Sequence, residues 1–264
     1  MLLDLGGVFV DDTRAKQAGR PVAEGQKVVA HLGGALARAT NQTGLEARAR
    51  DEADLPSYAV IHEDDELLVV DKPAGLLTAP TPESDRNNLA GLLSRRGERR
   101  QSIFVVHRID LETSGLLVFA KTPDANRVLG EMFRRHDLTR AYLAVALGKA
   151  ATGTIDRPID GRRAVTHVVE AEPLAATTFL RLRLETGRTH QIRIHLRALG
   201  NPVLGDRQHG TPTAFDPPRM ALHATQLAFR HPLSGAALDF SSPWPADLAP
   251  WLEGLGKGAD KGAE

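Results

Sequence analysis

The sequence predicts an α+β fold with a mixed, mainly antiparallel central sheet flanked by helices and loops. Segments with the apolar runs or the alternation of strands outnumber segments with helical spacing. Several of the strand segments are joined by loops of hairpin length, which favours antiparallel neighbours. The length of 264 residues permits one large domain, or a small domain joined to a large one.

Glycine turns and short alternating segments open the chain. Residues 1–34 contain two such segments, so small strands are expected there. Residues 35–57 have few large apolar side chains and no strand pattern, and we interpret them as a linker. The main domain is placed at residues 58–252. The tail at 253–264 is rich in Gly, Lys, Asp and Glu and is expected to be disordered.

The first half of the main domain is predicted to hold three short strands and a helix. Leu67 to Val70 reads as a buried strand that ends at a KPAG break. Ile103 to Val106 and Leu116 to Ala120 are two more strands, separated by nine residues. Thr122 is a typical N-cap and Pro123 a typical first-turn residue. The helix that follows has apolar residues at helical spacing, namely Ala125, Val128, Leu129, Met132 and Phe133.

The second half is predicted to alternate strands with one helix. Apolar and other residues alternate over 142–147 and 179–185, as in half-buried strands. Thr189 to Leu199 is predicted as a helix that stops at a Gly-Asn-Pro sequence, and its apolar stripe consists of Ile192, Leu196 and Leu199. A hairpin with strands at 226–230 and 237–240 closes the domain.

The composition excludes several classes of protein. The longest apolar runs have four or five residues, which is too short for a membrane span. The absence of cysteine excludes disulfides, thiolate zinc sites, iron–sulfur clusters and cysteine nucleophiles. Asp4 interrupts the opening apolar residues early, so no secretory signal peptide is expected and a cytoplasmic location is the default.

Charge is balanced overall and uneven locally. The chain has 33 basic and 33 acidic residues, which argues against a surface that binds nucleic acid everywhere. Seven arginines lie between Arg181 and Arg219, with only three acids, and four more lie between Arg95 and Arg100. These runs could form a basic groove, but charge alone favours solvated surface.

Two segments are rich in polar side chains that could take part in catalysis or binding. The loop from His107 to Gly115 joins two apolar strands and contains His, Arg, Asp, Glu, Thr and Ser. The alternative is a polar turn stabilised by its own side chains. The second segment, from Thr186 to His195, starts a helix whose early amides could bind an anion. Arg193 projects about 100° from the apolar stripe of that helix, although it could also lie across the edge of the core.

Three other functions are less consistent with the sequence. A metal hydrolase would need ligands from the set His107, Asp110, His190, His195 and His223. There is no H-E-x-x-H, and His190 and His195 are about 500° apart around a helix, so they do not share a face. A non-catalytic RNA-binding protein would not need Asp110. A dehydrogenase or P-loop enzyme would need a glycine motif that the chain lacks.

Taken together, the segments resemble the RluA-type pseudouridine synthases. The family's signature is an H-R-L-D core, a T-S-G turn and an apolar strand ending in A-K, and it is matched by HRIDLETSGLLVFAKT with Ile109 in place of leucine. Other blocks match in family order over residues 60–245, namely LLVVDKPAGLLTAP, RAYLAVALG, ETGRTHQIRIHLRALGNPVLGD and MALHATQLAFRHPLSG. Residues 1–34 resemble the final strands of an alpha-L RNA-binding motif whose opening helices are missing.

The resemblance implies the pseudouridine synthase fold and an isomerase that converts specific uridines of structured RNA to pseudouridine after flipping the base. It implies Asp110 as the nucleophile, Arg193 as its buried partner and Tyr142 as the ring that stacks on uracil. The pairing would be a planar two-point contact between Arg193 and Asp110. Arg108 would fill the vacated gap or hold a phosphate. Weaker candidates for substrate contact, each of which could equally bridge motif segments, are His107, Lys72, Arg188, His190 and Gln191.

The implied reaction also sets the expected partners. The isomerisation involves no redox change and no outside group, so no cofactor and no metal are expected. The expected partner is RNA, either ribosomal or transfer RNA, with no membrane and no DNA partner, and the family's habit implies a monomer.

Overall fold

The computed structural model describes residues 8–11, 13–14, 23, 25–30, 55–80, 88–96 and 101–258. The chain divides into two compact units, one formed by Met1–Pro56 with Leu76–Ile103 and the other by Ser57–Gly75 with Phe104–Glu264. The linker predicted at 35–57 lies outside the described residues except for its last three. No helix within the described ranges is long and apolar enough to cross a membrane.

The first unit contains a small antiparallel sheet and a short helix. Strands β1 (Val8–Val10), β2 (Thr13–Arg14) and β3 (Val28–Ala30) pair in the order β2-β1-β3, which confirms the short strands predicted there. Helix α1 (Leu89–Arg95) was not predicted. It begins where the side chain of Asn88 accepts a hydrogen bond from the amide of Gly91, as an N-cap does.

The second unit is built on one ten-stranded sheet. Its strands are β4 (Ala59–Glu63), β5 (Leu67–Lys72), β6 (Phe104–Val105), β7 (Ser114–Ala120), β8 (Thr139–Leu147), β9 (Gly153–Asp156), β10 (Val165–Leu174), β11 (Thr177–Leu184), β12 (Leu222–Arg230) and β13 (Ala237–Ser241). The order is β4-β5-β7-β12-β8-β11-β10-β9, with β13 beside β12 and β6 beside β7. Only the β7–β12 pair is parallel among the strands described, so the predicted mixed, mainly antiparallel sheet is confirmed.

Three helices accompany this sheet: α2 (Pro123–Arg135), α3 (Gln191–Ala198) and α4 (Ala249–Gly258). Helix α2 begins as predicted, because Thr122 accepts a hydrogen bond from the amide of Ala125. Its buried residues Ala125 and Leu129 pack with Leu67, Leu116 and other apolar side chains of β5 and β7. Burial of this face orients the helix so that its C-terminus reaches the loop before β8.

Two predicted boundaries are wrong. Helix α3 begins at Gln191 rather than Thr189, because His190 takes a left-handed conformation with φ 55° that no helix can include. Leu199, expected in the apolar stripe, is 55% exposed. The disordered tail predicted from residue 253 does not begin there, since α4 continues to Gly258 and buries Leu255 against Val145 and Leu204. Residues 259–264 lie outside the description.

Candidate active site

The polar loop between β6 and β7 is held by hydrogen bonds from the end of β5 and the segment that follows it. The backbone carbonyl of Leu111 accepts hydrogen bonds from the amide of Gly75 at 2.8 Å and from Nζ of Lys72 at 3.2 Å. Lys72 Nζ also donates to the carbonyl of Pro73 at 2.8 Å. The KPAG segment therefore fixes the loop that carries Asp110.

Lys72 is fully buried and does not line the cavity beside Asp110. Burial lowers the pKa of its ammonium to about 7, although the nearby carboxylates of Glu112 and Asp110 work in the opposite direction. The structure thus gives this predicted substrate contact a supporting position under the loop.

Arg193, on α3, lies between two carboxylates. Its Nη1 donates to Oδ2 of Asp110 at 2.9 Å. Its Nε and Nη2 donate to the two oxygens of Asp206 at 2.7 and 2.8 Å, which is the planar two-point geometry of an arginine fork. The predicted pairing of Arg193 with Asp110 is therefore present, but as a single hydrogen bond. The expected two-point contact is wrong, because the fork is occupied by Asp206.

Asp206 is buried and strongly ionised. Burial alone would raise its pKa, but hydrogen bonds from Arg193 and from the amides of His209 and Gln208 outweigh burial and lower the pKa to about 2. Burial also opposes the charge on Arg193, yet its hydrogen bonds to Asp206 and Asp110 raise its pKa. Asp206 therefore fixes both the charge and the orientation of Arg193.

Tyr142 and Arg140 project from the same face of β8, because alternate residues of a strand share a face. Both line the cavity that contains Asp110. Tyr142 is 7% exposed, and burial raises the pKa of its phenol, so the ring stays neutral. Its hydroxyl makes no hydrogen bond within the part of the chain that the structure describes.

His190 faces Asp110 from the start of α3. Its Nε2 is 3.9 Å from Oδ1 of Asp110, and its Nδ1 is 2.9 Å from Nε2 of His209. Burial lowers the pKa of both imidazoles, and the charge on Arg193 lowers both further. A hydrogen bond between two ring nitrogens needs one donor and one acceptor, which agrees with a neutral pair.

The other residues predicted to contact the substrate differ in how many hydrogen bonds they already make within the protein. Arg108 is exposed and lines the cavity, with no ion pair to the described residues. Arg188 also lines it and donates from Nε to the carbonyl of Arg163 at 3.0 Å. Gln191 is buried, and its amide group makes four hydrogen bonds to β10 and to the turn before α3, with Thr186, Arg188, Val165 and Thr166.

His107 is also occupied by contacts within the protein. Its Nε2 accepts the amide proton of Val118 at 3.2 Å, and its ring stacks on Phe133 with centroids 4.3 Å apart. Burial, with a smaller effect of the Arg140 charge, lowers its pKa to about 3. His107 is therefore a neutral ring that joins the loop to β7 and α2.

A cavity of about 480 Å³ brings the site together. This volume is in the range of sites for small molecules or for a single nucleotide. Among the predicted residues it is lined by Asp110, Tyr142, Arg193, Arg108, His107, Arg188, His190 and Gln191. Lys72 is the one predicted site residue that the structure does not bring to it.

The histidines considered as metal ligands are engaged elsewhere. His195 bonds Thr166 and the carbonyl of Arg157, and His223 lies between Ser114 and Ser242. No cluster of three potential ligands occurs within the described ranges.

Sequence reasoning missed three residues of the site: Asp206, His209 and Arg140. Asp206 and Arg140 stand in quoted motif blocks, so a signal was present. Nothing in the local pattern indicated that Asp206 reaches Arg193 or that His209 reaches His190, because each contact joins a loop to a separate helix start.

Comparisons with known proteins identify the family of this chain. A family model described as RNA pseudouridylate synthase matches residues 66–198. A ribosomal large subunit pseudouridine synthase D from Nitrosomonas europaea is 37% identical over 231 residues, covering 77% of this chain and 67% of the relative. The protein of that name from Escherichia coli is 34% identical over 250 residues, covering 80% and 76%. An uncharacterized RNA pseudouridine synthase from Bacillus subtilis is 38% identical over 222 residues, covering 75% and 73%.

Solved structures share the fold. The human RNA pseudouridylate synthase domain containing 4 superimposes with a TM-score of 0.60 and 22% identity, over 75% of this chain and 92% of that one. The human domain containing 1 gives a TM-score of 0.60 and 25% identity, over 75% and 87%.

Proposed function

Because this chain belongs to the RluA-type RNA pseudouridine synthases and isomerises uridine in RNA to pseudouridine, we propose that its substrate is ribosomal RNA and that Asp110 is the nucleophile. The names of the relatives support the choice of RNA. The hydrogen bond from Arg193 to one oxygen of Asp110, inside a cavity, supports the choice of residue. The reaction breaks the bond between ribose C1′ and base N1 and forms a bond between C1′ and C5.

The two oxygens of Asp110 have different surroundings. Oδ2 accepts the hydrogen bond from Arg193, which holds the carboxylate in place. Oδ1 makes no hydrogen bond to the described residues, and Nε2 of His190 lies 3.9 Å from it. The side chain of Asp110 is 23% exposed and lines the cavity, so the carboxylate is available to a nucleotide.

The cavity also suits a base that has left its helix or loop. Unstacking a base costs a few kcal/mol, which aromatic stacking and phosphate contacts offset. Tyr142 offers a neutral ring in the cavity of the nucleophile, and the exposed Arg108, two residues before Asp110, lines the same cavity. We assign stacking to Tyr142 and a phosphate or gap-filling contact to Arg108.

The remaining residues are assigned supporting roles on the basis of their contacts. Lys72 holds the loop through Leu111, His107 joins it to β7, and Gln191 anchors the start of α3. Arg188 and His190 remain candidates for direct contact with RNA because both line the cavity.

The substrate proposal is tested by mapping pseudouridines in total RNA from cells with and without this gene. We expect sites in large-subunit ribosomal RNA to disappear with the gene and to return with the wild-type copy. Sites that disappear only from transfer RNA would overturn the choice of substrate while leaving the reaction intact.

The nucleophile is tested by Asp110→Asn, which keeps the shape of the side chain and removes its charge. We expect tritium release from RNA containing 5-tritiated uridine to be abolished, with RNA affinity within about tenfold of wild type, because phosphate contacts dominate binding. Asp124→Asn, an exposed change on α2, serves as the control. Turnover retained by the Asp110 variant would exclude it as the nucleophile.

A further inference from the structure

Arg140 is a buried cation on the cavity that contains Asp110, with no carboxylate partner within the described part of the chain. The residue is 8% exposed. Nη2 donates to the backbone carbonyl of Glu185 at 3.4 Å, a long hydrogen bond, and the guanidinium lies 5.5 Å above the ring of Phe133. Its Nε is buried and makes no hydrogen bond. Burial lowers the pKa of Arg140, which reflects the missing counter-charge.

The backbone makes room for this guanidinium. A Cβ atom on Gly187 would lie 2.6 Å from Nη1 of Arg140, closer than nonbonded atoms can approach. Gly187 has no positive φ, so an added side chain here would act by displacing the guanidinium rather than by straining the backbone. The turn before α3 therefore lies directly against a cation that no carboxylate among the described residues neutralises.

Unsatisfied polar atoms are concentrated around the same cavity. Four buried side-chain nitrogen or oxygen atoms among the described residues have no hydrogen-bond partner, and three belong to residues that line the cavity, namely Thr113 Oγ1, His136 Nδ1 and Arg140 Nε. Buried polar atoms without partners are rare in folded proteins because each costs about 1–3 kcal/mol. Three such residues in the lining of the cavity that contains Asp110 indicate a site that an anionic or polar ligand completes.

The reaction supplies a transient anion at this place. If Asp110 attacks C1′, the electron pair of the C1′–N1 bond leaves with the base, and the uracil ring carries one negative charge shared by N1, O2 and O4. If Asp110 attacks C6, the electron pair of the C5–C6 double bond moves to O4 as an enolate. In the first route the ring is anionic until C5 bonds to C1′ and Asp110 leaves as a carboxylate; C5 then loses its proton and N1 gains one. In the second route the adduct is anionic until C1′ has moved from N1 to C5 and N1 is protonated; loss of the C5 proton and of Asp110 then restores the C5–C6 double bond.

We propose that Arg140 is a further catalytic residue, whose guanidinium stabilises the negative charge that develops on the uracil ring. The inference rests on the proposed use of Asp110 as the nucleophile. A fixed cation that is itself buried stabilises a transient charge more than it stabilises the neutral uridine, so it lowers the barrier. Arg140 gains and loses no proton in this role. Phosphates of the RNA are better matched by the exposed Arg108, whereas Arg140 is buried in the cavity lining.

The test compares Arg140→Gln and Arg140→Lys with Arg181→Gln, a control on the neighbouring strand whose partner Glu170 is outside the cavity. Single-turnover tritium release is measured at saturating RNA, and RNA affinity is measured separately. We expect Arg140→Gln to lose about 10²–10³-fold in rate, with affinity nearly unchanged, and Arg140→Lys to recover part of the loss. With 4-thiouridine at the target position, the loss of rate in Arg140→Gln relative to wild type should be smaller, because sulfur stabilises the anion without help from the protein.

Several results would overturn the role. They are a Gln variant as fast as wild type, a loss confined to RNA affinity, a Lys variant as slow as the Gln variant, or an equal loss on uridine and 4-thiouridine. If Arg140→Gln does not fold, Gly187→Ala is the alternative, since it keeps the cation but displaces it and should also lower the rate. An Asp110→Asn variant as active as wild type would instead refute Asp110 as the nucleophile. The failure of the proposed function can therefore be distinguished from the failure of the proposed role of Arg140.

Discussion

At the scale of single residues, the position of Arg193 is determined by a carboxylate that does not react. Asp206 takes the fork of the guanidinium through Nε and Nη2, and only Nη1 remains for Asp110. The arginine thus makes two hydrogen bonds to Asp206 and one to Asp110, and Nη2 also donates to Oε1 of Gln208 at 3.2 Å. This arrangement fixes the orientation of Asp110 while leaving its other oxygen available.

Replacing Arg193 by Lys should show how much this geometry matters. Lysine keeps the charge but is a point donor, so it cannot hold Asp206 through two planar bonds and reach Asp110 at the same time. We expect the rate of single-turnover tritium release at saturating RNA to fall at least tenfold in both Arg193→Lys and Arg193→Ala. A small misplacement of a reacting group is enough to cause a loss of this size.

The matched control is Arg219→Lys. Arg219 makes the same two-point contact with Asp247 at 2.6 and 2.9 Å, but this pair does not line the cavity. That variant should turn over like wild type. An Arg193→Lys variant as fast as the control would mean that charge alone suffices at this position.

His107 provides a prediction about stability and pH. Its pKa is near 3 in the folded protein and near 6.5 in the unfolded chain, so the unfolded state binds the proton more readily. The stabilising contribution is complete above pH 6.5 and is lost as the pH falls towards 3. Between pH 6.5 and 4.5, the free energy of unfolding should therefore fall less in His107→Gln than in wild type. The difference should be at most about 1.4 kcal/mol per pH unit.

Urea unfolding at several pH values measures this effect. Phe133→Leu is the control, because it removes the stacking partner and keeps the imidazole. It should lower stability at every pH with the wild-type pH dependence. The assignment of a neutral His107 fails if His107→Gln loses stability with pH as steeply as wild type does.

At the scale of elements, the catalytic loop depends on how closely β7 and β12 approach. Gly115 lies at the parallel pairing of these strands, opposite Ala224, with φ +113°. A Cβ atom there would be 2.3 Å from the carbonyl oxygen of Ala224. Both the space and the backbone conformation therefore require glycine at this second residue of β7.

Gly115→Ala should lower the free energy of unfolding by about 2–5 kcal/mol, since it combines overpacking with a strained φ. Gly254→Ala is the control, because no atom lies within 4 Å of its added methyl group and alanine favours helix α4 by about 0.5–1 kcal/mol. Urea denaturation distinguishes the two signs. A Gly115→Ala protein as stable as wild type would show that the strands can separate without cost.

Elements with a strong local pattern were predictable from the sequence, and those defined by distant partners were not. Thr122 and the apolar spacing behind it fixed α2, and the buried runs of β5 and β7 framed the catalytic loop. Strand β10 was missed because the outer half of its Val165–Leu174 sequence is largely exposed and carries no clean alternation. The start of α3 was misplaced because the left-handed turn at His190 is stabilised by tertiary contacts that spacing does not encode.

The site was predictable to the same extent. Asp110, Tyr142 and Arg193 came from motif blocks, and the structure brings all three to one cavity. Asp206 and Arg140 stand in the same blocks but were given no role. Asp206 matters because it binds both sides of the Arg193 fork, and Arg140 matters because its buried Nε has no hydrogen-bond partner among the described residues. Only the fold reveals these two features.

At the scale of the whole molecule, a neutral protein presents a basic cavity. The 33 basic and 33 acidic residues cancel overall. The arginine-rich run at 181–219 does not form one groove, since Arg181 pairs with Glu170, Arg219 pairs with Asp247, and only Arg188 and Arg193 of its seven arginines line the cavity. The cavity draws its other arginines from elsewhere in the chain, namely Arg108, Arg134 and Arg140, and its one acid is Asp110.

This local excess of positive charge should make RNA binding depend on salt even though the net charge is zero. Each arginine that neutralises a phosphate releases a counterion, so the affinity falls with the logarithm of salt concentration. Arg108→Ala should lower the steepness of that dependence by about 0.7–0.9, the amount for one phosphate contact. The measurement is RNA affinity by filter binding between low and moderate salt concentration.

Arg127→Ala is the matched control, since Arg127 is an exposed arginine on α2, 3.9 Å from Asp124 and outside the cavity lining. Its removal changes the net charge as much as the loss of Arg108 does. If binding responded to net charge, the two variants would change the salt dependence equally. Because counterion release needs a phosphate at the residue itself, we expect only Arg108→Ala to change it. Equal changes would mean that RNA is held by the general field of the protein rather than at the mouth of this cavity.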